Sequence, residues 1–65
     1  MSLTQPQTAV LAYFKAIADG RPRKRVNLDP RTLKALRERG LLEFAAGLYG
    51  GSHRITPAGL VALKQ

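Results

Sequence analysis

Apolar residues recur in the first third of the chain at steps of three and four: Val10, Leu11, Phe14, Ile17 and Ala18. That spacing lays them along one stripe of an α-helix. The helix has a readable start. Thr4 and Gln7 form a capping-box pair, and Pro6 is tolerated in a first turn whose N–H groups have no intrahelical partner. It ends near Asp19-Gly20, since glycine takes a left-handed closing conformation without penalty. The outer positions Gln5, Thr8, Ala12, Lys15 and Asp19 are nearly neutral and read as scaffold. A shorter helix is predicted at about 30–39, with Asp29 as its cap, Pro30 at its first position and Gly40 as its stop. At about 100° per residue, Leu33 and Leu36 share one face, with Arg31, Lys34, Ala35 and Glu38 on or near the opposite one. Thr32, Arg37 and Arg39 take the flanks, from which a basic side chain reaches phosphate while its stem covers the apolar stripe.

The period then changes to two. Leu42, Phe44, Ala46 and Leu48 alternate with Glu43, Ala45, Gly47 and Tyr49, the pattern of a half-buried strand. Gly50-Gly51 readily supplies the positive φ angles of a tight turn, so a β-hairpin is predicted over about 42–56. A two-residue turn there pairs Ala46 with Ile55 and Gly47 with Arg54. It sets Leu42, Phe44 and Ile55 toward the core, and Tyr49, Ser52 and Arg54 outward. His53 falls inward beside Leu48 near the tip, as a partly exposed packing residue. Thr56-Pro57 repeats the cap-then-proline signature before a last helix carrying Leu60, Val61 and Leu63, in which Gly59 allows close approach to a neighbour. In Gly20 to Leu28, Val26 and Leu28 alternate with Arg25 and Asn27, which fits either a very short strand or a loop. The fold class is α+β, mainly α, in one domain over 1–65: helix, short strand or loop, helix, β-hairpin, helix.

Charge adds a partner to this picture. The net charge is +7, and all but Lys15 and Lys64 of the eleven basic residues lie between positions 21 and 54. Such a localised positive field favours a polyanion, of which nucleic acid is the commonest. Arg21, Arg23, Lys24 and Arg25 crowd around Pro22, which reads either as a solvated loop or as an arm that follows phosphates without reading sequence.

Other chemistries are poorly served. Without cysteine there is no disulfide and no thiolate zinc site, and His53 alone holds no metal. The four carboxylates Asp19, Asp29, Glu38 and Glu43 are scattered, and no glycine-rich loop follows a strand to cradle phosphate. The expectation is therefore no enzyme and no cofactor. Tyr49 is the only aromatic residue placed outward, too few for a platform that stacks RNA bases. No stretch approaches the ~20 apolar residues of a membrane span, and the N-terminus lacks the features of a secretory signal. The expected location is cytoplasmic, and nucleoid-associated if the partner is DNA.

In order, Leu3-Thr4 with Gln7, Val10-Leu11 and Phe14, then Thr32-Leu33 with Leu36 and Gly40-Leu41-Leu42, then Ile55-Thr56-Pro57-Ala58-Gly59, resemble the winged helix-turn-helix domain. The closest flavour is the multiple-antibiotic-resistance-regulator (MarR) type. The resemblance implies a recognition helix at about 30–39 in the DNA major groove and a hairpin wing on the flanking backbone or minor groove. Carried over by position, Arg31, Thr32, Lys34, Ala35 and Glu38 face base edges or nearby phosphates. Arg54, Tyr49 and Ser52 are wing contacts, and Arg37 and Arg39 meet phosphate. The chain departs from that family in Gly20 to Leu28, nine residues that are too few for a strand, a separate helix and their turns. Two functions stand from the sequence: a small DNA-binding regulator or phage or mobile-element accessory factor, and a winged-helix adaptor or inhibitor that binds a protein. Monomer and homodimer remain alternatives.

Overall fold

The computed structural model describes residues 3–22, 25–48 and 51–64, and the side chains of these except 46–48 and 51–52. The elements are α1 (Gln5–Asp19), α2 (Pro30–Glu38), β1 (Leu42–Leu48), β2 (Gly51–Ile55) and α3 (Pro57–Lys64). The protein is thus mainly helical, with one antiparallel two-stranded hairpin.

The helix starts and stops follow the local chemistry. The Thr4 hydroxyl accepts the Gln7 N–H at 3.2 Å while Gln7 Oε1 accepts the Thr4 N–H at 3.0 Å, a complete capping box. Asp29 Oδ1 accepts the Arg31 N–H at 2.8 Å at the start of α2. At its end the Gly40 N–H donates to the Arg37 carbonyl and the Leu41 N–H to the Leu36 carbonyl, both at 2.9 Å. This double closure needs a left-handed residue, and Gly40 has φ +73°. The closure turns Leu41 and Leu42 straight into the core, where Val10, Leu11, Phe14, Leu36 and Ile55 meet them. On the outer side of α1, Lys15 bonds Asp19 at 2.9 Å, and that hydrogen bond holds the Asp19 carboxyl below its ordinary pKa.

Gly59 is buried on α3, and a Cβ there would stand 2.5 Å from the Leu41 carbonyl oxygen. The predicted close approach is therefore real. It also decides which face of α3 is inward: Leu60 and Leu63 are half-buried, whereas Val61, about 200° around the helix from Gly59, is exposed. Ala18 is likewise exposed, although it continues the stripe of Leu11 and Phe14 and its neighbour Ile17 packs against the core.

The hairpin register differs from the predicted one. Leu42 pairs with Ile55, Glu43 with Arg54, Phe44 with His53, and Leu48 with Gly51, with an irregularity between Phe44 and Leu48. Ala46 does not pair with Ile55, nor Gly47 with Arg54, and Gly51 is a strand residue. Between the last two pairs β1 holds three residues and β2 holds one, so the surplus is taken up as a bulge. Core burial sets the base of the hairpin, where Leu42 and Ile55 must face inward together. Phe44 shares that face but lies farther from the core, and it is 71% exposed instead of buried. His53 faces inward at 7% exposure, against Phe14 and opposite Phe44. Residues 25–29 form no strand, because β1 and β2 pair only with each other. Among the described residues between α1 and α2 there is no additional helix.

Candidate nucleic-acid interface

The apolar stripe of α2 is anchored by fully buried Leu36 and half-buried Leu33. Opposite it, Arg31, Lys34 and Glu38 are exposed. Ala35, expected on the same outer surface, is half-buried at its edge. Thr32 is also half-buried, and it lines an open cleft with Pro6, Ala9, Val26, Asn27 and Asp29. Arg21 and Arg25 are exposed on the connection before α2. Arg23, Lys24, Tyr49 and the side chain of Ser52 lie outside the described residues.

The structure separates the predicted cations into two groups. Among the described residues, the side chains of Arg21, Arg25, Arg31 and Lys34 make no ion pair. The other three arginines are engaged within the chain. Arg54 pairs with Glu43 directly across the hairpin. Arg39 Nη1 donates to Gln7 Oε1 at 3.2 Å, the oxygen that also closes the capping box of α1. Arg37 Nη1 lies 2.9 Å from His53 Nε2.

That last contact fixes a proton. A guanidinium only donates, so His53 Nε2 accepts and the neutral ring carries its hydrogen on Nδ1. Burial first, and the Arg37 charge second, push the His53 pKa below its ordinary value of 6.5. The Arg37 guanidinium also lies 4.4 Å from the centre of the Phe44 ring, and the His53 ring centre lies 5.0 Å from it, tilted by 32°. An Arg37–His53–Phe44 cluster therefore joins α2 to both strands. Sequence reasoning missed it, because the bulge hides the pairing of Phe44 with His53.

Among the described residues no group of three or more His, Asp or Glu is placed to hold a metal, and none of their helices is long and apolar enough to cross a membrane. The chemistry available on the face opposite Leu36 is that of two cations, without ion-pair partners among the described residues, and one carboxylate. No protein-family model, curated protein or solved structure matches this chain.

Proposed function

We propose that the protein binds double-stranded DNA through the exposed face of α2, in the manner of a minimal winged helix-turn-helix domain with the β1–β2 hairpin as its wing. The role that fits is a small transcriptional regulator or a phage or mobile-element accessory factor. The observation that carries this reading is the exposure of Arg31 and Lys34, without ion-pair partners among the described residues, on the face opposite buried Leu36 in a chain of net charge +7. A helix fits the major groove, about 12 Å wide. There Arg31 or Lys34 donates to guanine O6 and N7, and Glu38 accepts from cytosine N4. Arg21 and Arg25 serve the phosphates. Arg37 and Arg39 each use one N–H internally and keep others for the backbone.

The test is selection from a random duplex pool at near-physiological salt, because weak binding at low salt is expected of any protein this basic. An enriched motif supports sequence reading, and its symmetry reports monomer or dimer through half-site spacing. Recovery of no motif, with binding gone by about 200 mM salt, rejects it. A second reading, a protein-binding adaptor or inhibitor, draws on Val61, an apolar side chain 55% exposed on α3. In that case Val61→Asp abolishes capture of a partner while leaving DNA affinity unchanged.

A further inference from the structure

Phe44 stands on β1 with its ring 71% exposed, yet the ring is not loose. Arg37 and His53 are bonded to each other at 2.9 Å and lie 4.4 and 5.0 Å from the ring centre. Two groups so close together cannot sit on opposite faces of a ring at those distances. Both therefore back the same face of Phe44, and the other face is the one turned to solvent. The cation behind the ring withdraws charge from its π-face, which favours stacking on an electron-rich partner. Lys34, one turn before Arg37 on the same side of α2, is exposed beside it. A flat aromatic face backed by a guanidinium, on a chain whose neighbouring helix presents the exposed Lys34, suits a nucleotide: the base stacks on the ring and phosphates meet the cations of α2.

We propose that the open face of Phe44 is a stacking site for a single unpaired nucleobase of the bound nucleic acid. The base must be unpaired or extruded, because a base inside an intact duplex has both faces covered. Stacking is one-sided, since Arg37 and His53 occupy the other face of the ring. That geometry rules out a wedge inserted between two base pairs. The proposal rests on the DNA-binding reading and adds a preference to it: duplexes bearing an extrahelical base bind more tightly than fully paired ones.

The experiment compares two oligonucleotide duplexes of the same sequence, one fully paired and one with a single bulged 2-aminopurine. Titration is at near-physiological salt with the full chain. Base–aromatic stacking predicts a preference of roughly fivefold to a hundredfold for the bulged duplex, with a change in 2-aminopurine emission as the base leaves its neighbours in the duplex. Phe44→Ala brings the ratio of the two affinities to one and removes the emission change, whatever it does to the affinity for the paired duplex. Phe44→Trp retains the preference and the emission change. Because the ring is exposed, these variants fold, which circular dichroism checks. Equal affinity of the native chain for the two duplexes overturns the proposal, as does a preference that survives Phe44→Ala. The first of these is also the result expected if the ring instead docks on a protein side chain. Binding to the paired duplex without a preference sinks this inference alone, whereas binding to neither duplex sinks the DNA-binding reading with it.

Discussion

Thr56 Oγ1 lies 2.6 Å from the Gly40 carbonyl oxygen and donates to it, while accepting the Gly59 N–H at 3.1 Å. One hydroxyl thus caps α3 and ties it to the end of α2, across the whole hairpin. The Thr56 N–H adds a bond to the Leu41 carbonyl at 3.1 Å. Thr56→Val keeps the shape but removes both hydroxyl bonds, and the expected loss is about 1–2 kcal/mol. In a domain of this size that corresponds to a fall in melting temperature of very roughly 5–15 °C. Thr56→Ser, which keeps the oxygen, loses much less. Thermal denaturation of the two variants separates the hydroxyl from the methyl group.

What was legible in the sequence was local. Thr4 and Gln7 at the start of α1, Asp29 at the start of α2, Gly40 at its end and the Thr56 bond to the Gly59 N–H at the start of α3 act on neighbours a few residues away, and those helix boundaries follow from them. The presented face of α2 was legible for the same reason: a short helix anchored by Leu33 and Leu36 has only one outward side. The hairpin register was not. It depends on whether the core pairs Leu42 or Ala46 with Ile55, and the alternating pattern of β1 fits both. The positions of Phe44 and His53 follow from the register, so the Arg37–His53–Phe44 cluster was lost with it. Ala18 failed differently, since periodicity gives a direction around a helix but does not say what stands there.

Gly59→Ala tests how closely α3 is pressed against the hairpin base. The added Cβ would meet the Leu41 carbonyl oxygen at 2.5 Å and Ile55 Cγ1 at 2.6 Å. The first of these is backbone, tied down by the Thr56 N–H, and cannot give way cheaply. Alanine improves helix propensity by about 1 kcal/mol, but overpacking costs about 1–3 kcal/mol and wins. The expected outcome is a lower denaturation midpoint. At Gly40, where a Cβ meets nothing within 4 Å, alanine costs only the strain of a positive φ, about 1–2 kcal/mol.

Acid should loosen the hairpin through His53. Its pKa is lower in the folded chain than the ordinary 6.5, because burial and then Arg37 disfavour the charged ring. The unfolded chain therefore takes up the proton first. The contribution of the neutral ring is fully present above about pH 6.5 and is lost as pH falls through the folded-state value. The protonated ring has no acceptor left for Arg37, so the backing of Phe44 is lost as well. His53 is the only histidine, and its imidazole resonances can be followed without assignment ambiguity. Melting temperature is expected to fall as the pH drops below about 6.5, the ordinary histidine value. His53→Gln, whose amide oxygen still accepts from Arg37, abolishes that step; a step that persists in this variant refutes the assignment.

The two groups of cations on the proposed DNA face predict two kinds of loss. In the proposed complex Arg31 and Lys34 meet base edges, so Arg31→Ala and Lys34→Ala are each expected to weaken binding to a selected site by about 1–3 kcal/mol and to relax preference at particular base pairs. Arg21 and Arg25 are exposed on the connection before α2 and are assigned to the phosphates in the same complex. Neutralising either lowers affinity evenly across sequences and flattens the salt dependence by about one unit of slope. Arg54 is already paired with Glu43, so Arg54→Ala changes affinity less than either group, and Glu43→Gln, which frees the guanidinium, raises it. Leu36→Ala is the structural control: it removes a fully buried side chain and costs about 2–5 kcal/mol, enough to abolish binding by unfolding so small a domain. Titrations of each variant against a selected and a scrambled duplex, at two salt concentrations, separate these outcomes. If Arg31 and Lys34 lose affinity equally for both duplexes, α2 is only an electrostatic anchor and base reading lies elsewhere.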